Sequence, residues 1–203
     1  MRLVMAILVK SKTDPSIKNK WGTDPRAVVD GKILFRDATG KELVFDAAAE
    51  PQTAKFSRYL LPNDWIAGRR DWVSQLKDNN VPGGGPATCV GFDALQCDWE
   101  DGWWCNPPFD RKPEFIQKAT EEMFKGRDGM MLLPYEPLSG WWIDYVDGYA
   151  SMVYEPNGRY PFYEADGYTR KSGVNFGSVS CAHIQARTKQ KQHEPIETGN
   201  ITP

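Results

Sequence analysis

The chain has 203 residues, with 25 basic and 27 acidic side chains and a formal net charge of -2 at pH 7. One domain with a full core suits that length, and 40% hydrophobic with 26% charged residues excludes a collagen-like, disordered or membrane-embedded chain. No global basic field advertises a polyanionic partner, so any nucleic-acid contact would have to come from a local basic patch.

The opening run Leu3 to Val9 is apolar but far too short to span a bilayer, and it lacks a small-residue cleavage site. It reads as a first strand. Residues 10–20 are polar and carry Asp14-Pro15, a connecting loop. Thr23 or Asp24 then caps a helix with Pro25 at its first position, a short helix because Gly31 follows closely. A hairpin-like passage over 32–41 leads into Leu43-Val44-Phe45, a strand that ends in Asp46 and small residues, Ala47, Ala48 and Ala49. Small side chains there let a cofactor approach the backbone, and the carboxylate can accept from an ammonium group or the hydroxyls of a nucleoside-type ligand. The competing reading is an alanine-rich helix capped by Asp46. No G-x-G-x-x-G is present, so a dinucleotide fingerprint is absent.

Residues 53–61 read as helix or loop. Trp65, Arg69, Arg70 and Trp72 interleave basic and aromatic residues, as nucleic-acid contacts do and as a solvated helix with two packing tryptophans also would. Val81-Pro82-Gly83-Gly84-Gly85-Pro86 is a turn without the Lys-Ser/Thr of a phosphate cradle. Thr88 to Leu95 is a short strand-to-loop transition in which Asp93 ends the strand, an acceptor for an adenine N–H or a turn-former. The four cysteines, at 89, 97, 105 and 181, form no Cys-x-x-Cys pair. That pattern points to reduced thiols in a cytoplasmic protein, with no metal site and no disulfide framework.

Trp103-Trp104-Cys105-Asn106-Pro107-Pro108-Phe109 organises the chain: an apolar strand stops at an Asn, two prolines and an aromatic ring. Proline fixes φ and offers no N–H, so Pro107 and Pro108 make a stiff turn that presents carbonyls. The side-chain oxygen of Asn106 and the carbonyl of Pro107 can accept the two N–H bonds of an amino group on a flat heterocycle. That draws its conjugated nitrogen toward tetrahedral geometry and frees the lone pair. Phe109 supplies a face for an extruded base. The bland alternative is a strand merely terminated by its breakers.

Beyond it, Pro113 starts a helix to Lys125 with 115, 116, 119 and 123 on one face and Gly126 at its end. Gly129 to Pro134 is a buried strand, 141–146 a short helix, and 150–154 and 178–184 further strands. Strands alternating with helices predict an α/β fold of one domain, with a mostly parallel twisted sheet covered on both faces. The tail from Ala186 is polar and reads as mobile.

The Asn-Pro-Pro-Phe element resembles the signature of amino-group methyltransferases that use S-adenosylmethionine. The ordered set is more specific: Trp21…Pro25, Phe45-Asp46-Ala47-Ala48, Asp93-Ala94-Leu95…Trp99, Trp104-Cys105-Asn106-Pro107-Pro108-Phe109, Leu132-Leu133-Pro134, Trp141-Trp142 and Gly158-Arg159-Tyr160-Pro161-Phe162. From Trp21 to Ile184 the chain resembles the phage-type, Dam-like DNA N6-adenine methyltransferases. The resemblance implies a Rossmann-like class I methyltransferase sheet and S-adenosylmethionine held by Asp46, Ala47, Ala48, Asp93, Thr23 and Pro25. It further implies catalysis by Asn106, Pro107, Pro108 and Phe109 on adenine flipped from double-stranded DNA, with no metal and no membrane. Arg69, Arg70 and Arg159 are the expected DNA contacts. Asp24 is an extra residue between Thr23 and Pro25, and the segment 66–88 is longer than usual, an expected insertion that touches DNA. The same motif would also serve cytosine N4, a protein glutamine amide, or a catalytically silent DNA-binding relative.

Overall fold

The computed structural model describes residues 18–19, 21–51, 53–62, 88–164, 166–172, 174 and 176–185. The readings made for 3–9, for Arg69 and Arg70, for the Gly-rich turn at 81–86 and for the tail from 186 lie outside the described residues, as does all of the 66–88 segment but Thr88.

Asp24 caps the first helix, α1 (Pro25–Thr39), accepting from the Arg26 amide at 2.7 Å, with Pro25 in the first turn. The expected short helix and hairpin are overturned here. α1 runs for 15 residues through Gly31 and ends at Gly40, whose φ of 72° closes it in the left-handed region. Gly31 is not a stop but a contact: a Cβ there would lie 2.6 Å from the Trp104 ring. The helix needs a residue without a side chain where it crosses the buried sheet.

Seven strands make the main sheet: β2 (Phe45–Asp46), β3 (Arg58–Leu61), β4 (Thr88–Phe92), β5 (Trp103–Cys105), β6 (Gly129–Pro134), β7 (Met152–Tyr154) and β9 (Ser178–His183). β1 (Gly22–Thr23) pairs apart from it, antiparallel to β8 (Phe162–Tyr163). β3 corrects the helix-or-loop expectation for 53–61; Tyr59, Leu60 and Leu61 are buried, and such a run suits a strand covered on both faces. The sheet order is β4-β3-β2-β5-β6-β9-β7, parallel from β4 through β6, with β9 antiparallel between β6 and β7.

Two helices lie across the sheet from α1: α2 (Lys112–Phe124) and α3 (Gly140–Tyr145). Phe115, Ile116 and Ala119 of α2 and Trp142 of α3 pack with Phe45, Trp103, Met131 and Cys181 on one face. Ala27, Val28 and Phe35 of α1 pack with Trp104, Met130, Leu132 and Ala182 on the other. This is the mostly parallel, doubly covered, Rossmann-like α/β sheet that the sequence leads one to expect. The chain steps outward from β2 to β4, then returns to β5 on the other side of β2. That reversal opens a crevice at the carboxyl ends of β2 and β5, where open α/β sheets hold their ligands. No helix among the described residues is long and apolar enough to cross a membrane.

Candidate active site

A cleft of about 730 Å³ opens at this switch point. Its walls come from the ends of four neighbouring strands: Asp46 to Glu50 after β2, Leu60 to Pro62 from β3, Asp93 and Ala94 after β4, and Asn106 and Pro108 after β5. Two segments distant in sequence complete it, one with Asn19, Trp21 and Thr23 and one with Asp110, Arg111 and Phe115.

Asp46 stands opposite Tyr59 of β3 and Trp104 of β5, at the middle of the sheet. Only 3% exposed, it accepts from the amides of Ala48 at 3.3 Å and Lys55 at 3.0 Å. The alternative of a helix capped by Asp46 falls: the carboxylate folds a loop back on itself instead. Ala47 and Ala49 keep bonding sideways, to the carbonyls of Trp104 at 2.8 Å and Leu60 at 3.1 Å, so the alanine wall is an extension of the sheet. Burial pushes the Asp46 carboxyl up to about 6, against the two amides that favour its charged form.

Asp93 has a φ of 59°, the one positive value for a residue other than glycine among the described residues. Its carboxylate accepts from the Leu95 amide at 3.3 Å, and its carbonyl from Gln96 and Cys97. Short polar side chains tolerate this conformation by bonding locally, and such outliers gather at ligand sites.

Asn106 leaves the end of β5 half-buried on the cleft wall; Pro107 behind it is buried, and Pro108 reaches the cleft again. The turn is closed by the Arg111 amide on the Pro108 carbonyl at 3.1 Å. Sequence reasoning missed what holds it from outside. The Phe109 amide donates to Asn19 Oδ1 at 2.8 Å, and Asn19 Nδ2 donates to Asp110 Oδ1 at 2.9 Å. Lys112 Nζ donates to the Phe109 carbonyl at 2.8 Å, and burial holds its ammonium below the usual lysine range. Nothing local at Asn19 marks it, since its partners stand about 90 residues away.

Phe109 sits in an aromatic cluster, with its ring centroid 5.7 Å from Trp21, 5.2 Å from Phe176 and 6.2 Å from Phe162. Trp21 lines the cleft, so the cluster forms the back of the wall beside Asn106. Of the other anticipated residues, Thr23, Ala47 and Ala48 line the cleft. Pro25 is exposed at the start of α1, and Arg159 is exposed between β7 and β8.

Among the described residues the lining is acidic: Asp46, Glu50, Asp93 and Asp110 against one guanidinium, Arg111, itself paired with Glu114 at 2.6 Å. A polyphosphate would be repelled there, whereas a nucleoside bearing cationic groups would be attracted. Among the described residues no cluster of His, Cys, Asp and Glu is grouped to hold a metal ion.

Residues 88–197, more than half of the chain, match the model of a known family, DNA N-6-adenine-methyltransferase (Dam). The chain belongs to this family. The match runs from β4 through the Asn106 turn to β9, so it takes in the central strand that ends at the motif. No curated protein matches the chain significantly. The protein is thus an adenine-specific DNA methyltransferase, and its residues 45–62, which build half the cleft, lie ahead of the matched span.

Proposed function

We propose that this methyltransferase moves the methyl group of S-adenosylmethionine to the N6 nitrogen of an adenine swung out of a DNA duplex, in one displacement and without a covalent enzyme intermediate. The observation that carries the reading is that Asn106 and Asp46, from adjacent central strands, border one cleft. A cofactor of this size fits a cleft of about 730 Å³, and the alanine wall admits its flat and flexible parts to the backbone. Asp46, Glu50 and Asp93 are suited to its ammonium, hydroxyl and adenine N–H groups. When bound, the cofactor supplies an electrophilic methyl group on a positively charged sulfur.

The chain's own groups then do the rest. Asn106 Oδ1 and the Pro107 carbonyl accept the two N6–H bonds, so the lone pair leaves the ring and points at the methyl. Because the proline turn and Asn19 fix these acceptors beforehand, little reorganisation is needed as charge develops on nitrogen. The target must first leave the helix, since its amino group is unreachable inside a stacked duplex. A thiol nucleophile has no part in this. Cys105, next to the turn, is fully buried, and burial holds its thiol far above the usual range, so no thiolate is available.

The test is Asn106→Ala with tritiated cofactor and adenine-containing duplexes. Cofactor binding by calorimetry should stay near normal while methyl transfer falls by about 10²–10³, the scale for removing one preorganised polar contact to a reacting group. Undiminished transfer in the variant would sink the role given to Asn106.

A further inference from the structure

Lys112 is the first residue of α2, a place that works against the charge it carries. The amino end of a helix is the positive end of its dipole, so a cation there is unfavourable. The side chain is also half-buried, and burial together with the nearby Lys18 opposes its ammonium form. Glu136 and Asp110 favour that charge, yet Lys112 forms an ion pair with neither among the described residues. A neutral side chain of the same reach would fill the space at less cost.

What the ammonium touches belongs to two loops. Nζ donates to the Phe109 carbonyl at 2.8 Å and lies over the Phe109 ring, 5.5 Å from its centroid. It also lies over the ring of Trp141 in α3, at 5.2 Å. Trp141 is fixed in turn, its Nε1 donating to Glu136 Oε2 at 2.9 Å in the loop after β6. That loop is itself stiff, because the amide and the hydroxyl of Ser139 both donate to the Glu136 carbonyl, at 2.9 and 2.7 Å. β5 and β6 are parallel neighbours, so the two loops leave the same end of the sheet side by side.

Phe109 is therefore gripped at both of its backbone groups, the amide by Asn19 and the carbonyl by Lys112. A hydrogen bond from an ionised donor is the stronger kind, and a cation over an aromatic face adds attraction to each ring. Only a charged side chain supplies all of these at once.

We propose that Lys112 is a positioning residue for methyl transfer: its ammonium ties the turn that carries Asn106 and Pro107 to the loop between β6 and α3, so that the two acceptors keep their direction during the reaction. The assignment rests on the reading of that turn as the catalytic one.

The experiment uses the full chain and the variants Lys112→Met, Lys112→Arg and Trp141→Leu. Lys112→Met should melt at or above the wild-type temperature, since the opposition of dipole and burial is removed. It should nonetheless lose about tenfold or more in kcat on adenine-containing duplexes, with the KM for S-adenosylmethionine within about twofold of wild type. Lys112→Arg should stay within about threefold of the wild-type kcat, because a guanidinium also stacks on rings and donates. Trp141→Leu should lower kcat as well, and adding it to Lys112→Met should cost little more, as expected of two parts of one tie. Hydrogen exchange without cofactor or DNA should quicken in Lys112→Met by about fivefold or more in the peptides spanning 106–111 and 136–142. A kcat unchanged in Lys112→Met, a loss that arginine does not recover, a melting temperature well below wild type, or unchanged exchange in either peptide would overturn the proposal. The exchange arm needs no turnover. Faster exchange in both peptides of a protein whose Asn106→Ala form still transfers methyl would overturn the catalytic reading of Asn106 and leave the tie standing.

Discussion

Asn19 shows how much of a catalytic turn can be set by a residue outside it. Its amide accepts from Phe109 N and donates to Asp110, so one planar group fixes the two residues that follow the prolines. Asn19→Ala should lower kcat by about tenfold or more, because a small displacement of reacting groups is enough to cost that much. Asn19→Asp should be worse, since it sets two carboxylates against each other. Adding Asp110→Asn should recover much of the activity, because the donor and acceptor are then exchanged. Steady-state kinetics of the three variants check this, and a double variant no better than Asn19→Asp would refute the positioning role. The strand, the acid at 46 and the Asn-Pro-Pro-Phe turn were legible because each is a local pattern. Asn19 was not, as its meaning exists only across the fold.

Gly31 is the clearest lesson at the level of elements. In the sequence it stands after Val28, Val29 and Asp30 and looks like a helix end, because glycine is costly inside a helix. In the fold it lies in mid-helix against Trp104, which is fully buried on β5 two residues before Asn106. The packing need outweighs the propensity. Gly31→Ala gains about 1 kcal/mol in helix propensity but loses about 1–3 kcal/mol to overpacking, for a net destabilisation of up to about 2 kcal/mol. Denaturant midpoints measure it, and a stabilised variant would show that the ring can yield. β3 was the hard strand to read for a related reason. It is short, and part of its burial depends on β4, which comes later in the chain.

For the molecule as a whole, acidity should reveal two buried groups that work against each other. His183 on β9 is fully buried beside the Trp103 ring, and burial brings its imidazole down to about 4 from 6.5. The folded state therefore binds fewer protons there than the unfolded one. Its contribution is complete above pH 6.5 and lost as pH falls through 4, about 3 kcal/mol in all. Asp46 runs the other way: raised from 3.8 to about 6, it adds stability below pH 3.8 that is lost as pH rises through 6, again about 3 kcal/mol. The two offset each other across the acid window. His183→Phe should release that balance, so its melting temperature relative to wild type should climb as pH is lowered from neutral toward 4. A gap that stays constant with pH would mean the imidazole does not titrate between the two states. The alternation of strands and helices announced the sheet and its two covered faces, but not its lateral order. That order carries a consequence for synthesis. β9 is last in the chain among the described strands, yet it lies inboard of β7, bonded on both sides. While the ribosome still holds residues 178–183, β6 has a bare edge and β7 has nowhere to dock, so the sheet closes only by inserting its latest-made strand. Shortening the chain before Ser178 would therefore cost it a middle plank rather than a trim, and fragments of that kind should pair edge to edge and aggregate.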